Sequence, residues 1–166
     1  MIPRNPASLG AVLVEAARLA GQRLILSSGW GRVLPSADLP PTVFLLEECP
    51  HDWLFPQLRG AVHHGGAGTT AATLRSGIPS TVVAFFADQP AWGRTLEELG
   101  VSPATHHHTT ITAPALAACL RSMAEIPSYR CRAEQLRDQL AAENGLATAV
   151  AALETLLEPQ LLAQET

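Results

Sequence analysis

Two short segments carry residues whose types and spacing could do chemistry. The first is His63-His64-Gly65-Gly66-Ala67-Gly68-Thr69-Thr70. It follows a brief strand, Ala61 to His64, and leads into a helix predicted over Thr69 to Arg75. Glycines let a backbone approach a ligand closely and adopt positive φ. A helix start offers unpaired N–H groups and the positive end of the helix dipole. Together these make an anion site, most naturally for phosphate. Thr69 and Thr70 can add hydroxyl donors, and His64 a ring N–H. The same residues also fit a tight turn with helix-capping threonines, and the residue types do not choose between the two. No Lys follows the glycines, so this is not a Walker loop, and the spacing is not GxGxxG.

The second segment is Phe85-Phe86-Ala87-Asp88-Gln89-Pro90, past the end of the most strand-like run, Ser80 to Phe85. A carboxylate beside a carboxamide presents acceptors and donors together, which suits paired sugar hydroxyls. Asp88 also fits a simple cap on a helix starting at Pro90, since proline is favoured at the first helical position.

The elements that must hold these segments are read from periodicity and punctuation. Apolar residues from Leu9 to Leu19 recur at helical spacing and stop at Gly21. Short strands are predicted at Arg23 to Ser28 and Thr42 to Leu46, with a last one over Val101 to Thr105. Asp52 is expected to cap a short helix near Pro50 to Phe55. Helices are predicted over Pro90 to Leu99, Pro114 to Ala124, Tyr129 to Ala142 and Leu146 to Leu157, with Gly145 and Pro159 at ends. Strands alternating with helices imply an α/β domain, a doubly wound parallel sheet covered on both faces. Ligands of such sheets bind at the carboxyl ends of the strands, where both chemical segments fall.

At 166 residues the chain is one expected domain, 1–166. Eleven Lys and Arg against 15 Asp and Glu leave a formal charge of −4, which argues against a nucleic-acid partner. No window approaches the ~20 unbroken apolar residues of a membrane-spanning helix. The first twenty residues do not read as an export signal. Cys49, Cys119 and Cys131 are far apart and odd in number, which suggests reduced thiols and a cytoplasmic location. His63 should turn inward if the strand alternates. The run His106 to His108 is expected in a solvated loop, because consecutive residues do not converge on one ion. Trp30, Phe85, Phe86 and Trp92 are either site walls or core.

The run PHDWLFPQLRGAVHHGGAGTTAATLRSGIPSTVVAFFADQPAWGRTLEELGVSP, Pro50 to Pro103, closely resembles the signature region of sterol glucosyltransferases and related bacterial enzymes. These belong to the GT-B superfamily of UDP-sugar-dependent glycosyltransferases, whose two Rossmann-like domains face a cleft. The resemblance is to the C-terminal, donor-binding domain. It implies that His64 contacts the donor phosphates, that Ala67, Gly68 and Thr69 cradle the diphosphate with Thr70 beside it, and that Asp88 and Gln89 hold the sugar hydroxyls. Cys49, through its backbone, and His51 would meet the uridine. Plant-type relatives place a ribose-binding glutamate where this chain has Ala72; the sterol-type members also lack it.

The resemblance further implies a UDP-sugar donor with no metal and no other cofactor, and an inverting transfer of glucose or a related hexose to a sterol or other hydroxylated lipid. The family's catalytic base lies in the acceptor-binding N-terminal domain, so no catalytic residue is expected here, and a lipid acceptor would be reached through that missing half. Family members open this domain with a strand and a GFGSM-like turn. Met1-Ile2-Pro3-Arg4 stands where that turn would end, so the first strand is expected to be absent and the chain to be a domain piece without turnover of its own. Alternatives are a non-catalytic nucleotide-binding subunit and transfer to a polyketide or glycopeptide. A dinucleotide-dependent oxidoreductase is disfavoured by the missing GxGxxG fingerprint.

Overall fold

The computed structural model describes residues 6–27 and 39–162, with side chains described over 9–27 and 39–156. Trp30 lies outside the described residues. In chain order the elements are α1 (Pro6–Ala20), β1 (Leu24–Ser27), β2 (Val43–Leu46), α2 (His51–Leu54), a 3-10 turn (Phe55–Gln57), β3 (Ala61–His63), α3 (Ala67–Arg75), β4 (Ser80–Ala84), α4 (Gln89–Glu98), β5 (Thr105–His107), α5 (Ala113–Glu125), α6 (Pro127–Ala142) and α7 (Gly145–Leu162).

Every strand pair is parallel, as the βα alternation requires. The strands form two sheets, β1-β2 and β3-β4-β5. Among the described residues no strand joins β1 to β3, so the expected single sheet is split between those edges.

Strand β4 is buried along its whole length because it is central in its sheet and covered on both faces. On one face Val82 and Ala84 pack with Leu96 and Val101, and with Ala133 of α6. On the other side of the sheet, Ala16 and Ala20 of α1 pack with Leu116 and Ala117 of α5, and Val62 of β3 joins them. Successive residues of β3 thus serve opposite layers, since Ala61 packs instead with Phe55 and Ile78.

Three expectations are corrected. The last strand runs over Thr105–His107, not Val101 to Thr105, so the histidine run is largely sheet. Backbone pairing of Val82–Ala84 with Thr105–His107 sets this register, and side-chain polarity does not. His106 is half-buried with its Nε2 3.3 Å from Cys119 Sγ, and His108 stacks on Phe85 with centroids 4.4 Å apart. Asp52 is not a helix cap: Pro50 occupies that position, and Asp52 Oδ1 accepts from the Trp53 N–H at 3.0 Å. Finally, α7 continues past Pro159 to Leu162. A proline near a helix end removes one backbone bond while its φ remains helical.

Candidate functional site

The β3–α3 junction is built from inside outward. His63 points into the fold, where its Nδ1 accepts the Gly65 N–H at 3.1 Å and its Nε2 meets Ser80 Oγ at 3.2 Å. An accepting Nδ1 requires the neutral ring, with the proton on Nε2. Burial, reinforced by repulsion from His64 and His51, pushes the His63 pKa down to about 4. From Ser80 the contacts continue to Thr73 Oγ1 at 3.5 Å, and Thr73 donates to the Thr70 carbonyl at 2.8 Å. One half-buried imidazole therefore ties the glycine turn to β4 and, through the hydroxyls, to α3.

Gly65 has φ +85°, and a Cβ there would fall 2.7 Å from Val82 Cγ1 and 2.9 Å from the Gln89 carbonyl oxygen. Only glycine accommodates both the backbone and the contact. His64, the next residue after β3, is exposed, and its imidazole lies against Gly66 so closely that any Cβ on Gly66 would collide with it. The ring therefore sits over the first turn of α3.

That turn is open. Gly66 is the N-cap and no side chain caps the helix. The first backbone bond runs from the Thr70 N–H to the Gly66 carbonyl at 2.9 Å. The N–H groups of Ala67, Gly68 and Thr69 precede the first intrahelical bond and have no acceptor among the described residues. Ala67 and Gly68 are exposed, and a Cβ on Gly68 would meet nothing within 4 Å. The threonines do not cap the helix, although the turn itself forms at Gly65. Thr69 lines the large cavity beside the turn, whereas Thr70 is buried and its hydroxyl has no partner among the described residues.

The β4–α4 junction forms a second wall. Ala87 takes φ +57°, a left-handed backbone that costs a non-glycine residue ~1–2 kcal/mol. This turn brings the buried Gln89 beneath the loop, where its Oε1 accepts the N–H groups of Phe85 at 2.7 Å and Phe86 at 3.3 Å. The carboxamide oxygen is thus engaged within the protein, leaving the NH2 as the free donor. Asp88 is exposed and occupies the N-cap position of α4 without a side-chain capping bond; its Oδ2 accepts the indole N–H of Trp92 at 2.9 Å. Phe86 and Trp92 are exposed at 46% and 37%, so they are not core.

Cys49, His64, Thr69 and Gln89 share the lining of one cavity of about 1170 Å³. His51, Ala67, Gly68, Thr70 and Asp88 are not part of that lining. His51 is exposed and stacks on Phe55 with centroids 4.4 Å apart, and the Cys49 thiol lies 3.7 Å from the Pro50 carbonyl oxygen. Sequence reasoning missed Trp53, 63% exposed on the cavity wall, and the backbone of Ala87. Neither has a local signal, since alanine gives no warning of positive φ.

The family described as "Erythromycin biosynthesis protein CIII-like, C-terminal domain" matches residues 12–156. The chain belongs to this family. As an EryCIII-like C-terminal domain it is 40% identical over 158 residues to sterol 3-beta-glucosyltransferase UGT80B1 of Arabidopsis thaliana, covering 95% of this chain and 26% of that protein. Sterol 3-beta-glucosyltransferase of Aspergillus clavatus is 38% identical over 174 residues, covering 99% of this chain and 12% of the relative. The domain thus spans about a quarter or less of these curated relatives. Among solved structures, the glycotransferase of kitacinnamycin superposes with TM-score 0.76 at 29% identity, over 92% of this chain and 39% of that one. The glycosyltransferase VinC, solved with DTDP, shares the fold with TM-score 0.73 at 23% identity, over 89% of this chain and 38% of its own.

Proposed function

We propose that this domain binds the diphosphate of a UDP-sugar at the start of α3, as the donor-binding half of a glycosyltransferase that glycosylates a sterol or another hydroxylated lipid. The observation that carries this is the open first turn of α3 with the His64 imidazole over it. Convergent backbone N–H groups at a helix N-terminus favour an anion, and the developing negative charge of a leaving diphosphate is such an anion. The sterol 3-beta-glucosyltransferase relatives support the class of sugar and acceptor.

In the proposed transfer, an acceptor hydroxyl attacks the anomeric carbon from the face opposite the diphosphate. The new C–O bond forms as the bond to the diphosphate breaks, and configuration inverts. The acceptor's proton goes to a general base, which the proposal assigns to the acceptor-binding domain. This domain holds and stabilises the leaving group through the Ala67, Gly68 and Thr69 amides and His64. Asp88 and the Gln89 NH2 group face the sugar, while Cys49 and His51 lie toward the base. The positive end of α3 and His64 supply the electrostatic partner, so no metal is needed.

Calorimetric titration with UDP tests this reading. Binding should survive a chelator unchanged, and His64→Ala should weaken it by ~1.5–3 kcal/mol, the range for a hydrogen bond to a charged group. Equal affinity for wild type and variant would remove His64 from the site.

A further inference from the structure

The loop between β4 and α4 takes its shape from one peptide plane. The peptide joining Phe85 to Phe86 lies just past the end of β4 and leads into the left-handed turn at Ala87. Its N–H end, the Phe86 amide, donates to Gln89 Oε1 at 3.3 Å. Its carbonyl end, the Phe85 oxygen, lies 3.2 Å from His107 Nε2. A peptide is planar, so partners at both ends fix its orientation. The Phe85 N–H donates to the same Gln89 oxygen at 2.7 Å.

A carbonyl oxygen only accepts, so His107 Nε2 carries the proton and donates it. The other ring nitrogen, Nδ1, then accepts from Thr109, whose Oγ1 lies at 2.7 Å and whose N–H lies at 3.4 Å. The ring is thus held on both sides although His107 is exposed. Strand pairing puts it there. His107 is in register with Ala84, the last residue of β4, and the His108 N–H donates to the Ala84 carbonyl at 3.0 Å. Beyond that point β4 has no further strand residue, and a side chain of β5 takes over the pairing of the next carbonyl. His108 adds a ring stacked on Phe85 with centroids 4.4 Å apart.

We propose that His107 is a positioning residue for the sugar subsite, acting through the Phe85 carbonyl on the Gln89 carboxamide. This rests on the proposed function, in which the Gln89 NH2 group faces the sugar. With the Phe85–Phe86 peptide pinned, the Gln89 oxygen stays on its two backbone amides and its NH2 stays free for a sugar hydroxyl. Without the His107 donor the peptide can rotate, and the sugar loses a fixed partner. The diphosphate, at the start of α3, is held by other elements. His107 therefore governs the preference for a sugar-bearing nucleotide over the bare nucleoside diphosphate.

Two variants of the full chain separate this role from a structural one. His107→Phe keeps a ring and removes the donor; His107→Gln keeps an N–H of similar reach. Each is titrated calorimetrically with UDP and with UDP-glucose, and its amide exchange is followed by NMR without nucleotide. His107→Phe should lower the ratio of UDP-glucose to UDP affinity about three- to tenfold, leave UDP affinity unchanged and speed exchange of the Phe86 amide about threefold or more. His107→Gln should restore both. An unchanged ratio, or an unchanged Phe86 amide, in His107→Phe overturns the proposal. Equal weakening of UDP and UDP-glucose overturns it in favour of a general loosening of the fold. A Gln variant that behaves like the Phe variant overturns the donor role. Wild type with no affinity for UDP overturns the proposed function and the sugar role together, whereas the exchange result is read without nucleotide, so the two failures are told apart.

Discussion

His63 and His64 are adjacent in sequence and opposite in chemistry. The first is a half-buried neutral acceptor; the second is an exposed ring over a helix start. Because the folded pKa of His63 is lowered to about 4 from 6.5, the unfolded chain binds the proton more tightly. Stability is therefore greatest above the unfolded value and falls as pH drops from 6.5 through 4, by about 3 kcal/mol from this group. Urea unfolding at pH 7 and 4.5 should show most of this loss, and His63→Gln should remove most of the difference between the two pH values. Gly68 offers the contrasting case. It lies in the first turn of α3 without positive φ, and open space surrounds its missing Cβ. Gly68→Ala should raise stability by up to about 1 kcal/mol through helix propensity. The same methyl would stand where the diphosphate is proposed, so UDP affinity should fall about tenfold or more. Melting and titration of one variant thus separate scaffold from site.

At the scale of elements, the β4–α4 loop depends on one carboxamide. Gln89 satisfies two backbone N–H groups that the left-handed turn at Ala87 would otherwise leave unpaired. Gln89→Ala should destabilise the fold by ~1–3 kcal/mol, measured by chemical denaturation, because buried donors lose their acceptor. The position of this loop was legible from the strand run, Asp88-Gln89 and Pro90. The internal use of the Gln89 oxygen was not, since it depends on backbone four residues away. The same contrast holds for β5. Three histidines predict a loop by polarity, yet pairing with β4 makes most of them strand. Elements whose evidence is periodic, such as α1 and α5, were legible to within a few residues. The cavity wall gained Trp53 of α2 only through folding.

At the scale of the whole molecule, the domain presents its candidate site on an α/β scaffold whose described strands form two sheets. Purified chain incubated with UDP-glucose and a sterol should yield no glycosylated product by mass spectrometry, because the proposed base belongs to the acceptor-binding domain. A glycosylated sterol would place the base in this chain. Helix α7 is exposed throughout residues 145–156, with Leu146, Leu153 and Leu156 more than half exposed. Its apolar content alone would have suggested core.

The sequence by itself determined the α/β class, the strand-to-helix junctions that bear the chemistry and the resemblance across Pro50 to Pro103. Those properties rest on local patterns: periodicity, glycine and proline punctuation, and motif spacing. Tertiary structure alone decided that His63, turned inward as strand alternation predicts, bonds the Gly65 amide and Ser80, that Thr70 is buried, and that the Gln89 oxygen is already bonded. Each of these depends on which distant backbone lies within hydrogen-bond or van der Waals reach. Spacing along the chain does not encode that reach.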